Sequence, residues 1–155
     1  MDISIPTALK TFAAGGAAMK SITSWWRKSK GDTRAVIGEM KDNLSYLDMV
    51  AEDGVPLADV VEKLALVEYK RLANEGFNFN TLKKSKIAKL PSLKGTDLEN
   101  WTGKETEELV HSINEKINQI KIRFPHVSTH KKYRWGIRVM NIRKRIWLLL
   151  KHINS

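Results

Sequence analysis

Apolar residues recur at spacings of three and four along most of the 155-residue chain, and no stretch shows the two-residue alternation of a half-buried strand. The pattern predicts five helices, over about 6–27, 32–52, 56–75, 103–123 and 129–153. The first has Pro6 in its opening turn, where a missing N–H does no harm. Its face is Leu9, Phe12, Gly16, Met19, Ile22 and Trp26. The alanines and glycines of 13–18 read either as a thin helix that admits a close neighbour or as a hinge in a membrane-active segment. In the second helix Ile37, Met40, Leu44, Leu47 and Ala51 form the stripe, and Gly54 is the stop. Pro56 opens the third, with Leu57, Val60, Val61, Leu64, Val67 and Leu72 inward and Glu68 and Arg71 as an ion pair at the stripe's edge.

Residues 77–102 lose the period. They hold Lys83, Lys84, Lys86 and Lys89 ahead of Pro91 and Gly95, and Phe77, Phe79 and Trp101 are expected to pin the ends to the bundle. A connection this long tends to be functional or mobile. Thr102 followed by Glu105 fits a capping box for the fourth helix, which runs on Leu109, Ile113, Ile117, Ile120 and Phe124 until Pro125 ends it. Thr129 is the expected cap of the last helix. Its stripe is the cleanest in the chain: Trp135, Val139, Ile142, Ile146, Leu149, Leu150 and Ile153 lie within about 60° of one line. The expected fold is all-α, a single-domain antiparallel bundle of about five helices with one long irregular basic connection.

Composition narrows the class further. The chain has no cysteine, so it holds neither a disulfide nor a thiolate metal site, and its apolar runs are all broken by charge before the length of a membrane span. No leader is read at the start, and a cytoplasmic setting, possible also at a membrane surface, is expected. The net charge of +10 is unevenly spread: residues 1–76 carry −1, 77–103 carry +3 and 104–155 carry +8, with no acidic residue after Glu115. A one-signed block sets up a local positive field that attracts phosphates, anionic lipid or an acidic protein face.

Three readings of the basic last helix follow. Opposite its core stripe lie Lys144 and Lys151, flanked by Arg134, Arg138, Arg143 and Arg145, with Ile137, Met140, Trp147 and Leu148 interleaved. As a nucleic-acid-binding module, these cations contact phosphates, Lys83, Lys84 and Lys86 of the connection extend the surface, and Trp147 or Trp25 stacks on a base. As a membrane-associating bundle, the basic helix holds lipid headgroups while the first helix inserts. As a protein-assembly or self-association module, the outward apolar groups dock a partner inside a rim of arginines. The plain alternative is a helix covered on both sides whose arginines snorkel to solvent.

Signals for catalysis are sparse. His126 and His130 straddle a turn with no Glu between them and only His111 as a third ligand, so no metal site is expected. No Gly-rich phosphate loop, nucleophile elbow or carboxylate cluster is present, and no cofactor is expected. Arg145 and His152 stand seven apart, an Arg-x6-His spacing that resembles the motif of the HEPN family, small helical bundles that include metal-independent ribonucleases. Ile146 stands where that family usually has a polar residue, and Arg123 and His130 match the same spacing. The resemblance covers two residues and the fold class. It implies an arginine that stabilises a phosphorane and a histidine that moves a proton.

Overall fold

The computed structural model describes residues 23–155. All of the first predicted helix except its last turns, including the 13–18 run and Pro6, lies outside the described residues. Within them the protein is all-helical. Six α-helices follow in order: α1 Thr23–Lys28, α2 Gly31–Glu52, α3 Leu57–Val60, α4 Val67–Asn74, α5 Thr106–Val127 and α6 Trp135–Ile153. Three 3-10 turns, Phe79–Thr81, Pro91–Leu93 and Asp97–Trp101, punctuate the connection between α4 and α5.

The long helices α2, α5 and α6 form the frame, with α6 packed against both others. Their stripes meet in one core, where Ile37, Met40, Leu47, Leu109, Ile113, Ile117 and Ile146 have no measurable exposure. Two predicted stripe members fall outside it: Ala51 is exposed and Val67 is 70% exposed.

Residues 56–75 are two short helices instead of one, because side chains of α2 bind the backbone at the break. Buried Asn43 donates from Nδ2 to the Ala65 carbonyl and accepts from the Ala65 N–H, both at 2.8 Å. Glu39 accepts from the Glu68 and Tyr69 N–H groups at 2.8 and 3.1 Å, capping α4 from a different helix. These tertiary bonds satisfy groups that a continuous helix would have paired internally.

Three boundaries also move. The capping box of α5 sits three residues later than Thr102, with Glu105 as N-cap and Glu108 returning to its N–H at 2.9 Å. Pro125 does not end α5 but lies inside its last turn, two residues before Val127. The last helix starts at Trp135 and not at Thr129, after a 3-10 turn Lys131–Tyr133 and Arg134 in the left-handed region at φ 46°.

The connection is a packed strap. Phe79, Leu82, Ile87, Leu93 and Leu98 are all buried, at roughly 1.5–3 kcal/mol each, which holds the segment on the bundle. Ile87 closes it on itself by donating to the Lys104 carbonyl and accepting from Gly103 N–H, at 2.9 and 2.8 Å. The turn Asp97–Trp101 lies against α6. The loss of helical period in the sequence therefore reflects 3-10 turns on a surface, where buried residues need not repeat at 3.6.

Candidate functional site

Helix α2 and the strap decide the fate of three cations on α6. Arg143 is 2% exposed, and its guanidinium donates to Asp48 from Nε and to Glu52 from Nη2, both at 2.8 Å. Lys144, also buried, donates to Asp97 of the strap at 2.9 Å, and Arg145 lies 3.7 Å from the same carboxylate. Burial pushes the Asp97 carboxyl up, but the Lys144 hydrogen bond and the two positive charges outweigh it and hold the group below its ordinary range. Arg143, Lys144 and Arg145 are thus structural charges answered by acids, and the expectation that they face solvent as phosphate contacts is corrected. Trp147 is likewise buried, at 5%, which corrects its reading as an outward-facing ring; Leu148 is fully buried beside it.

The aromatic pair near the start does not divide into one inward and one outward ring. Trp25 and Trp26 are both half-buried against the core. Trp26 lies over Gly38, where an added Cβ would come within 3.2 Å of its ring, and is flanked by Arg34 and Lys41 at 4.4 and 4.0 Å. Trp25 keeps part of its ring accessible, as Trp135 does.

What remains exposed separates to the two ends of α6. Lys151 and the strap residues Lys84 and Lys86 lie towards its C-terminal end, where half-buried Lys83 donates to the Ser155 carbonyl. Arg134 and Arg138 stand at the other end, about 20–25 Å from Lys151 along a 19-residue helix.

That second end has a built arrangement. The ring of Tyr133 stacks on Trp135 at 5.2 Å and 12°, and Trp135 meets Phe124 edge-on at 5.2 Å. Trp135 Nε1 donates to the Ser128 carbonyl at 3.2 Å, which locks the indole across the turn between α5 and α6. Cations surround the Tyr133 ring: Lys132 at 5.2 Å, Arg138 at 5.5 Å and Arg123 at 5.9 Å. Arg138 is held there by a 2.6 Å hydrogen bond from Nε to the Tyr133 carbonyl. None of Arg123, Lys131, Lys132, Arg134 and Arg138 forms an ion pair among the described residues.

A cleft of about 420 Å³ opens between α5 and α6 at this corner. Lys116, Lys132, Arg134 and Arg138 supply its charge, Ile120, Ile137 and Ile142 its apolar lining, and Glu115 its single acid. Lys116 has its ammonium pushed below its ordinary value by burial first and then by the charges of Arg145 and Arg138. A site that already strains to hold its positive charge is stabilised by an arriving anion.

Beside the Arg-x6-His pair of α6 lies a much smaller pocket, of about 50 Å³, which His152 lines. His152 is buried, its Nε2 lying 2.8 Å from the Thr106 hydroxyl, which itself donates to the Lys83 carbonyl. Arg145 donates to the Asn141 carbonyl within its own helix. Both residues are engaged in packing and neither lines the corner cleft. Among the described residues no three His, Asp or Glu side chains converge as metal ligands, and no helix is long and apolar enough to cross a membrane.

The chain matches no protein-family model, no curated protein and no solved structure. The site must be read from its own chemistry. Tyr133, Trp135, Lys132, Arg123 and Lys116 are the residues that reasoning from helical faces passes over. Their signal is local: Lys131-Lys132-Tyr133-Arg134-Trp135 interleaves cations and rings in a turn, within a span from 116 to 142 that has seven basic residues and no acid.

Proposed function

We propose that this protein is a non-enzymatic nucleic-acid-binding module whose contact surface is the corner between α5 and α6. The observation that carries the reading is a set of cations without carboxylate partners among the described residues, arrayed around the stacked rings of Tyr133 and Trp135. Arg134, Arg138, Arg123, Lys131 and Lys132 are the phosphate contacts. Phosphate neutralisation by such groups releases counterions, and the accessible part of a half-buried ring accepts bases without strong sequence preference. Lys151 at the far end of α6, with Lys84 and Lys86 on the strap beside that end, lies too far from them to share one short site.

Fluorescence anisotropy of a labelled oligonucleotide against salt tests the reading. Four or five phosphate contacts on a single strand give a slope of log affinity on log salt of about −3 to −3.5. Lys132→Ala and Arg138→Ala each flatten that slope by about 0.7. Absence of binding, or binding that ignores salt, overturns the proposal. So does association with anionic vesicles or a protein partner through the same residues while nucleic acid fails to bind.

A further inference from the structure

The corner cleft differs from a plain basic patch in having an apolar interior and one acid. We infer that it receives a single unstacked nucleotide and favours guanine, through the Glu115 carboxylate; the inference rests on the nucleic-acid reading above.

Shape excludes a duplex from the interior. Paired bases keep their faces stacked and present a ridge of phosphates, whereas a recess of about 420 Å³ between two helices admits only a base that has left its stack. That volume lies within the range of small-ligand sites. Ile120, Ile137 and Ile142 offer a surface for a planar ring, and Tyr133 closes one side. Arg134, Lys132 and Arg138 at the edge neutralise the attached phosphate.

The acid is what discriminates. In a phosphate-binding recess a carboxylate works against affinity, so its use lies in hydrogen bonding. Glu115 Oε1 accepts from Gln119 Nε2 at 3.0 Å, and Gln119 Oε1 accepts from Arg123 Nε at 2.8 Å. This relay along one face of α5 orients the carboxylate and leaves Oε2 without a partner among the described residues. An ionised carboxylate is purely an acceptor with two oxygens side by side. Guanine alone presents two adjacent donors, N1–H and the N2 amino group, along its pairing edge. Adenine and cytosine each set one amino donor beside a ring-nitrogen acceptor. Uracil flanks its N3–H with two carbonyls that a carboxylate repels. The chemistry therefore ranks guanine first and uracil last.

The test uses the full chain and single-stranded octanucleotides of uridine that carry one central G, A, C or U, at fixed salt, with a hairpin duplex as a fifth probe. The expected result is at least tenfold tighter binding of the G probe than of the all-U probe, and Glu115→Gln brings that ratio to within twofold. A 1,2-dicarbonyl reagent, which attacks guanine N1 and N2, should modify the central G at least fivefold more slowly when protein is bound. Equal affinity for all four probes, a G preference that survives Glu115→Gln, or an unprotected guanine overturns the inference, while salt-dependent binding of the all-U probe leaves the nucleic-acid reading standing. Binding of no probe overturns both.

Discussion

Arg143 Nε donates to Asp48 Oδ1 at 2.8 Å, joining the last helix to α2 across 95 residues of chain. Glu52 takes the other edge of the same guanidinium at 2.8 Å, so one buried cation is held by two carboxylates a helical turn apart. Burial raises the Asp48 carboxyl above its ordinary value, although its hydrogen bond to Arg143 and that residue's charge oppose the rise. Removing one partner leaves the other charge poorly compensated, which costs more than the pair contributes. Asp48→Ala should lower unfolding free energy by about 1–3 kcal/mol, with Glu52 still in place. Arg143→Met, which keeps the packing, should cost less than Asp48→Ala. Urea titration of the two variants checks the order; an Asp48→Ala protein as stable as the parent would sink the assignment.

Arg134 is the one described non-glycine residue at positive φ, and it stands at the mouth of the corner cleft. The left-handed conformation costs a side-chain-bearing residue about 1–2 kcal/mol, while glycine adopts it freely but loses more entropy on folding. Arg134→Gly should therefore stabilise the fold by up to about 1 kcal/mol and weaken oligonucleotide binding several-fold. Thermal unfolding and anisotropy on one preparation read both changes. A loss of stability would mean that the arginine side chain holds the turn together.

His152 makes stability depend on pH. Burial first, and then the nearby charge of Lys83, holds its imidazole below the ordinary value, against a backbone hydrogen bond at Ser85 that acts the other way. Between the folded and unfolded values the unfolded chain binds the extra proton, so stability falls as pH drops below about 6.5. The limiting slope for one group is about 1.4 kcal/mol per pH unit. Denaturation midpoints at pH 7.5 and 5.5 should differ, and His152→Gln should shrink the difference. An unchanged difference in the variant would assign the effect to other groups.

The two ends of α6 are predicted to contribute unequally to binding. Lys132→Ala combined with Arg138→Ala should reduce oligonucleotide affinity at least tenfold at moderate salt. Lys84→Ala, Lys86→Ala and Lys151→Ala together should change it by less than threefold, because those lysines lie at the far end of α6, about 20–25 Å from the corner. Equal losses from the two sets would show that the contact runs along the helix and not at its start.

Helix content is legible in the spacing of apolar residues. The main stripes of α2, α5 and α6 are legible because each helix buries a continuous face, and period is the trace such burial leaves in sequence; the second buried side of α6, with Lys144, Trp147 and Leu148, is not legible in that way. The break at Ala65 was not legible, since it depends on Asn43, 22 positions away. The strap shows no period for a related reason: its five buried side chains, of which Phe79, Leu93 and Leu98 lie on 3-10 turns, follow the surface they cover.

The sequence by itself determined that the chain is helical, that its positive charge gathers after Glu115, and that the run Lys131–Trp135 mixes cations with rings. Only the tertiary structure decided which cations are available. Arg143 and Arg138 look alike on a helical projection, but Asp48 and Glu52 of α2 claim the first, while a backbone carbonyl and two aromatic rings hold the second in the open. Charge is written in the residue type; its neutralisation depends on distance, and distances between remote residues are set only when the chain packs.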